Sequence, residues 1–279
     1  MNRIPAKWSV FALLTLFACS EAVSHVPEGA VVYDLKTGEE LSARNADEAD
    51  GFYGTLQEEG QFIAFVRYRP DSFETTVVTA EGEQADSTGA LCMKHNAVAG
   101  INGSYFDMEN LTATTLVKDD GFVTDTTATA EVFRTNGAVV LNIEDIRIEA
   151  CDTAERYTLD REALAGGPIL MADGTTFDYA GQGSFFDKRH PRSLIGRDAE
   201  GGVWLVVVDG RFPGEAEGMS IPELTALAGR LGLTEALNLD GGGSSTLWVL
   251  PAGVLNHPCD NHRFDHEGQR IVPNALIVK

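Results

Sequence analysis

The 279-residue chain carries a formal charge of −21, with 42 Asp and Glu against 21 Lys and Arg. That balance excludes nucleic acid as a partner, because Lys and Arg neutralising phosphates supply most of such affinity. It also excludes global steering of an anionic ligand, so any phosphate must be held by a few local arginines or by backbone N–H groups.

The N-terminus reads as an export signal. Arg3 and Lys7 flank the start of an apolar run, Trp8 to Ala18, that is too short to span a bilayer as a mature helix. The run closes in Leu16-Phe17-Ala18-Cys19, which resembles a bacterial lipobox. Residues 1–18 are therefore expected to be a lipoprotein signal peptide and Cys19 the lipidated residue. That chemistry would anchor an exported protein to a membrane, in the periplasm or at the cell surface. Phe17 is bulkier than the usual occupant of its position, which keeps plain signal-peptidase cleavage as the alternative. Residues 19–29 read as a tether and 30–279 as one domain, since 43% hydrophobic content suffices for a full core. Cys92, Cys151 and Cys259 permit one disulfide with one thiol left over, and all three pairings stay open.

Val31 to Leu35, Gln61 to Arg67 and Phe73 to Thr79 have strand composition. The polar stretch Thr37 to Gly60 between the first two reads as a surface loop. A helix is expected over Ser87 to His95, capped by Asp86 or Ser87, followed by an apolar strand ending in Asn102-Gly103. The centre reads as strands at Thr115–Lys118, Gly121–Thr124, Val132–Thr135, Ala138–Leu141 and Asp145–Ala150. Turns at Asp119-Asp120-Gly121 and Asn136-Gly137 separate them, the latter as a hairpin signal. Leu164 to Leu170 is an apolar segment broken by Gly166-Gly167-Pro168, and a polar loop follows through about Lys188.

Val203 to Asp209 is near-continuously apolar, the pattern of a strand covered on both faces. Ser220 with Glu223 forms a capping box, Pro222 fits the first turn, and the helix stops at Gly232. Ala236 to Asp240 is the next strand, which completes a strand–helix–strand unit of the parallel type. The fold class is therefore α+β, a strand-rich mixed-sheet core with a few helices including this C-terminal unit. Parallel strands would bring Asp209-Gly210 and Asp240-Gly241 to one sheet edge, with Asn102-Gly103 joining them, where ligands favour C-terminal strand ends.

The segment Asn238-Leu-Asp-Gly-Gly-Gly-Ser-Ser-Thr246 is the most site-like in the chain. Three glycines allow close approach to the main chain, with a carboxylate before them and three hydroxyls after; the plain alternative is a tight connection between core strands. Asp209 and Asp240 could divide acid, base or nucleophile roles. Arg192, Arg211 and Arg270 stand out in so acidic a chain because guanidinium grips phosphate bidentately. His257, Cys259, Asp260, His262, Asp265 and His266 match no familiar zinc spacing and are expected to be a loop with incidental histidines. Oxygen ligands at Asp209, Asp240 or Asn102 would suit magnesium or calcium, although no cofactor is required.

Several segments, in order, together resemble the phosphodiester glycosidase family, that of the N-acetylglucosamine-1-phosphodiester α-N-acetylglucosaminidases. They are Ile101-Asn-Gly-Ser-Tyr-Phe106, Ala165-Gly-Gly-Pro168, His190-Pro-Arg-Ser193, Val208-Asp-Gly-Arg211, Gly218-Met-Ser220 and Asn238 to Ser245. Asn256 with Pro258 and Asp260, and Arg270 with Asn274-Ala-Leu276, complete the set within residues 90–279. Cys259 departs from the pattern, where a small hydroxyl residue is expected. The resemblance implies hydrolysis of a sugar-1-phosphodiester that frees an N-acetylglucosamine-like sugar, on an exopolysaccharide or cell-envelope glycan. It implies Asp240 as nucleophile or base, with Asp209 as second choice. Phosphate would fall to Arg192, Arg211 and the amides of Gly241, Gly242, Gly243, Ser244 and Ser245. Asn102 and Asn256 would contact sugar hydroxyls or orient a carboxylate, and Gly103, Asp260 and Arg270 complete the substrate-binding set. Two other readings compete: a non-catalytic surface lipoprotein that binds phosphorylated glycan, and a metal-dependent phosphodiesterase that cuts the P–O bond.

Overall fold

A computed structural model describes residues 24–58, 60–80, 85–142, 145–150, 157 and 159–279. The expected signal peptide, Cys19 and Cys151 lie outside the described residues. Cys92 and Cys259 are both free and buried.

The N-terminal elements are β1 (Val31–Asp34), β2 (Glu40–Leu41), α1 (Ala43–Glu48), β3 (Gly51–Glu58), β4 (Gln61–Tyr68) and β5 (Thr75–Thr79). Residues 37–60, expected to be a loop, thus contain a helix and an eight-residue strand. Gly51 and Gly54 disguise that strand. A Cβ at Gly54 would lie 2.3 Å from the Val31 carbonyl oxygen, so the glycine permits close pairing with β1.

Next come β6 (Asp86–Ser87), α2 (Thr88–Lys94), β7 (Ala99–Asn102), β8 (Val117–Asp119) and β9 (Phe122–Asp125). Ser87 caps α2 through the Ala90 N–H. The β8–β9 hairpin turns at Asp120 and Gly121, both at positive φ, as a two-residue primed turn requires. The centre continues with β10 (Gly137–Asn142), β11 (Asp145–Ala150), β12 (Glu162–Gly166), β13 (Ile169–Ala172) and β14 (Thr175–Thr176), then the short α3 (Ser184–Asp187). Val132–Thr135, expected as a strand, instead follows a 3-10 turn at Thr129–Glu131. Asn136-Gly137 is no hairpin: Gly137 opens β10, and Asn136 Oδ1 accepts from the Ile169 N–H.

The last third holds β15 (Arg192–Asp198), β16 (Val203–Val208), α4 (Ile221–Arg230), β17 (Leu233–Asn238), β18 (Leu247–Val249), β19 (Gly253–Val254), β20 (Ile271–Val272) and β21 (Asn274–Val278). Ser220 and Glu223 form the capping box of α4 in full. Its Ile221, Leu224, Leu227 and Ala228 are buried, so truncating Leu224 to Ala would cost about 2–5 kcal/mol.

A nine-stranded sheet in the order β14-β13-β17-β15-β16-β4-β3-β1-β2 forms the spine. Among the described residues, two five-stranded sheets, β11-β10-β12-β8-β9 and β19-β18-β7-β21-β5, accompany it with a small β20-β6 pair. Alternation along β16 sends Val203, Leu205 and Val207 into the core shared with the other sheets. Trp204, Val206 and Val208 face the core under α4. Both faces are covered, which accounts for the continuous apolar run.

The strands β16 and β17 run parallel, as expected of the strand–helix–strand unit, but they are not neighbours. Strand β15 lies between them and pairs antiparallel with both.

Candidate active site

Register places the start of β15 at the edge where β16 and β17 end, since Arg192 pairs with Val208 and Leu194 with Asn238. Asp209 and Asp240 therefore leave the same sheet edge with Pro191-Arg192 between them. Strand β7 arrives from the second sheet rather than as a member of the first. Its last residue, Asn102, donates from Nδ2 to the Asp240 carbonyl at 2.7 Å, and the Asp240 N–H donates to Gly103 O at 3.2 Å. Asn102 Oδ1 accepts from Ser193 Oγ at 2.8 Å and from the Thr246 N–H at 3.2 Å. The side chain is fully buried. Asn102 and Gly103 thus fix the Asp240 backbone.

The two aspartates differ sharply. Asp209 is 1% exposed and both its oxygens are taken. Asn256 Nδ2 donates to Oδ1 at 2.9 Å, the His257 N–H to both oxygens, and His257 Nδ1 lies 2.8 Å from Oδ2. Burial raises its pKa against the pull of His257 and Asn256. Asn256 is also fully buried, accepting from the Leu247 N–H and donating to Ser245 O. Both residues lie beneath the loop, and of the two roles expected of Asn256 the bond to Asp209 is the orienting of a carboxylate.

Asp240, half-buried, lines an open cleft of about 470 Å³ with Tyr105, Arg134, Phe185, His190, Pro191, Arg192, Arg211, Gly241 and Gly242. Its Oδ1 accepts from the Gly241 N–H at 2.9 Å. Burial pushes its pKa up to about 6, against the Ser244 hydroxyl, Arg134, the Gly241 amide and Arg270. Burial and the charges of Arg192, Arg211 and Lys188 lower the pKa of His190. The cleft therefore presents a carboxylate and a neutral imidazole near neutral pH.

The glycine run serves the arginines more than an amide cradle. The Gly242, Ser244 and Ser245 N–H groups donate to Pro191 O, Gly241 O and Gly242 O. With the Gly241 N–H on Asp240, these amides are spent within the protein. A Cβ at Gly241 would sit 2.7 Å from Pro191 O. Gly242, at φ 65°, would meet Arg211 Nη2 at 2.9 Å, and Gly243 would meet Asp260 Oδ1 at 2.0 Å and Arg270 Nη2 at 2.2 Å. Removing three side chains lets two arginines lie against the loop. The hydroxyls of Ser245 and Thr246 behind it are buried without a partner among the described residues.

The arginines divide by their partners. Arg270 forms a bidentate pair with Asp260, at 2.7 and 2.8 Å. Arg192, 3% exposed, donates from Nε to Met219 O and from Nη2 to Phe185 O and Lys188 O, all neutral acceptors. Burial lowers its pKa to about 10. Arg211, at φ 68°, places Nη1 3.6 Å from Cys259 Sγ. Neither Arg192 nor Arg211 forms an ion pair among the described residues.

A scan against family profiles matches residues 95–279 to the phosphodiester glycosidase family. The chain belongs to that family. At family level it is thus a hydrolase of the phosphodiester glycosidase type. No curated protein sequence matches the chain. Among solved structures, a hypothetical protein from Synechocystis superposes with a TM-score of 0.66 at 16% identity, over 82% of this chain and 62% of that one. The zebrafish N-acetylglucosamine-1-phosphodiester α-N-acetylglucosaminidase catalytic domain, auto-inhibited by its pro-peptide, gives a TM-score of 0.65 at 16% identity, over 82% and 81%. A putative exported protein from Burkholderia pseudomallei gives 0.57 at 14%, over 82% and 74%. At these identities the likeness is one of fold.

For this member of the family, sequence reasoning missed Arg134 and gave no role to Tyr105, Phe185 or His190. Arg134 comes from the misread 132–135 segment, and its guanidinium lies 3.9 Å from the Tyr105 ring centroid. The histidine-rich stretch is a packing cluster. The His257 ring stacks on Phe264 and His266, and His266 Nδ1 contacts Asn256 O. Of the oxygen ligands considered for magnesium or calcium, Asp209 accepts from N–H groups of Asn256 and His257, and Asn102 Oδ1 from the Ser193 hydroxyl and the Thr246 N–H. The metal-like triad among the described residues is His25, Asp198 and Glu200. There Arg67 Nε and Trp204 Nε1 already hold Asp198 Oδ2, at 2.7 and 2.9 Å.

Proposed function

We propose that this protein hydrolyses the C1–O bond of a sugar-1-phosphodiester on a glycan or envelope polymer, releasing a free, N-acetylglucosamine-like sugar. One observation carries the reading: Arg192 and Arg211, without ion-pair partners among the described residues, flank Asp240 in a chain with 42 acidic residues. A buried cation held only by carbonyls is costly unless an anion completes it. The phosphodiester supplies that anion.

A phosphomonoester leaves readily without much protonation. The demand on the protein is to hold the phosphate and to supply a carboxylate at the electron-poor anomeric carbon. Asp240 meets that second need once ionised, as nucleophile or as base toward water. His190, neutral and in the same cleft, is placed to carry a proton. Asp209 acts at one remove, fixing Asn256 and through it Ser245 at the end of the glycine loop.

The working place of the enzyme, in this reading, is outside the cytoplasmic membrane, tethered through lipidated Cys19. Incubation with N-acetylglucosamine-1-phosphodiesters in ¹⁸O water tests the chemistry. Label in the freed sugar supports C1–O cleavage. Label in phosphate, with sugar-1-phosphate as product, would establish P–O cleavage instead. Binding without turnover across a panel of sugars and cations would favour a glycan-binding lipoprotein.

A further inference from the structure

The charge balance of the cleft is uneven from one wall to the other. Arg192 and Arg211, beside His190 and Gly242, carry positive charge with no carboxylate against it among the described residues. Arg134 is different: its Nε donates to Glu131 Oε2 at 2.5 Å, so the pair is close to neutral. A neutral pair of this kind offers N–H donors and carboxylate acceptors together, which suits hydroxyl groups better than an anion.

The pair is also rigidly mounted. The Arg134 guanidinium lies 3.9 Å from the Tyr105 centroid, 5.2 Å from Phe185 and 5.6 Å from Phe133. Tyr105 is fixed in turn, its hydroxyl donating to Gly167 O at 2.6 Å and accepting from Asn238 Nδ2 at 2.9 Å. Asn238 stands two residues before Asp240 on the same strand exit. Gly167 backs the segment directly, because a Cβ there would lie 2.2 Å from Arg134 O. Phe133 is 62% exposed and meets Phe185 edge-on with centroids 6.0 Å apart. A large ring left open to water beside a polar cleft is a surface that awaits an apolar face. The C–H face of a pyranose is one.

We infer that Glu131, Arg134 and Phe133 form the sugar subsite of the cleft, reading ring hydroxyls and a C–H face, while Arg192 and Arg211 hold the phosphate. This rests on the phosphodiester reading for its second half only. The substrate then lies across Asp240 with its sugar toward Tyr105 and its phosphate toward His190, which puts the anomeric carbon over the carboxylate.

The test is binding by calorimetry of three probes: inorganic phosphate, N-acetylglucosamine and N-acetylglucosamine-1-phosphate. Glucose, galactose and mannose with their 1-phosphates serve as a panel, and thermal unfolding checks each variant. Phe133→Ala changes an exposed side chain, so folding is retained even if Arg134→Ala proves unstable. Each is expected to weaken the sugar and sugar-1-phosphate about tenfold while leaving inorganic phosphate within about twofold. Arg211→Ala is expected to weaken inorganic phosphate and the sugar-1-phosphate about tenfold while leaving the free sugar within about twofold. Equal loss for phosphate and sugar-1-phosphate in Phe133→Ala and Arg134→Ala, or no loss for any probe, overturns the assignment. So does a wild-type protein that binds every sugar-1-phosphate no better than phosphate alone. Sugar binding that depends on Phe133 and Arg134, with no phosphate binding at all, keeps the subsite and removes the phosphodiester reading instead.

Discussion

Asp209 and Asp240 leave parallel strands at the same sheet edge, and one strand separates them. Their surroundings assign them opposite work. Asp209 is enclosed and fully hydrogen-bonded by Asn256 and His257. Asp240 opens onto a cleft with one of its oxygens bonded to the adjacent amide. A motif of Asp followed by Gly at a strand end thus specifies a place and not a role. The role is set by which neighbours reach the carboxylate first.

Four measurements would break or sharpen that contrast. Asp240→Asn should lower kcat by about a thousandfold with an unchanged circular dichroism spectrum. A rate within tenfold of wild type would take Asp240 out of the chemistry. Asp209→Ala should instead cost about 3–5 kcal/mol of stability in urea unfolding, because it strands the donors of Asn256 and His257 in a dry interior. A stable Asp209→Ala protein with no activity would erase the distinction. With Asp240 required as a carboxylate and its pKa near 6, the wild-type rate should fall about tenfold per pH unit below that value. A flat profile down to pH 4.5 would contradict it.

The smallest effect has the opposite sign. The folded pKa of Asp240 lies above the unfolded one, so its ionised form opposes folding at neutral pH, and the penalty disappears as pH falls below about 4. Asp240→Asn should therefore raise stability at pH 7 by roughly 1–3 kcal/mol and give no gain at pH 3.5.

What the sequence made legible followed local rules. The Ser220–Glu223 capping box, the two-faced apolar strand β16 and the Asp120-Gly121 turn need only neighbouring residues to be understood. The element at 51–58 escaped because two of its positions are glycines that serve a strand pairing from elsewhere in the chain. The 132–135 segment escaped for a related reason: its branched and aromatic residues suit a strand, yet Arg134 is committed to Tyr105 and Glu131. At the site, the glycine run and the arginines were visible, but their relation was not. The glycines read as room for a ligand, whereas most of that room is taken by Arg211, Arg270 and Asp260. Which asparagines lie beneath the loop depends on two sheets meeting, and no local spacing records that.

Strand β16 carries Asp209 at its end and pairs along one side with β4, six residues against six. Strand β5 closes the second sheet against β21 in the same way. Both partners precede residue 95, where the family match begins. A fragment cut at that boundary would contain every residue of the cleft yet expose the bare hydrogen-bonding edges of two apolar strands. It should aggregate before it could be assayed. The smallest folding unit is accordingly longer than the stretch by which kinship is recognised.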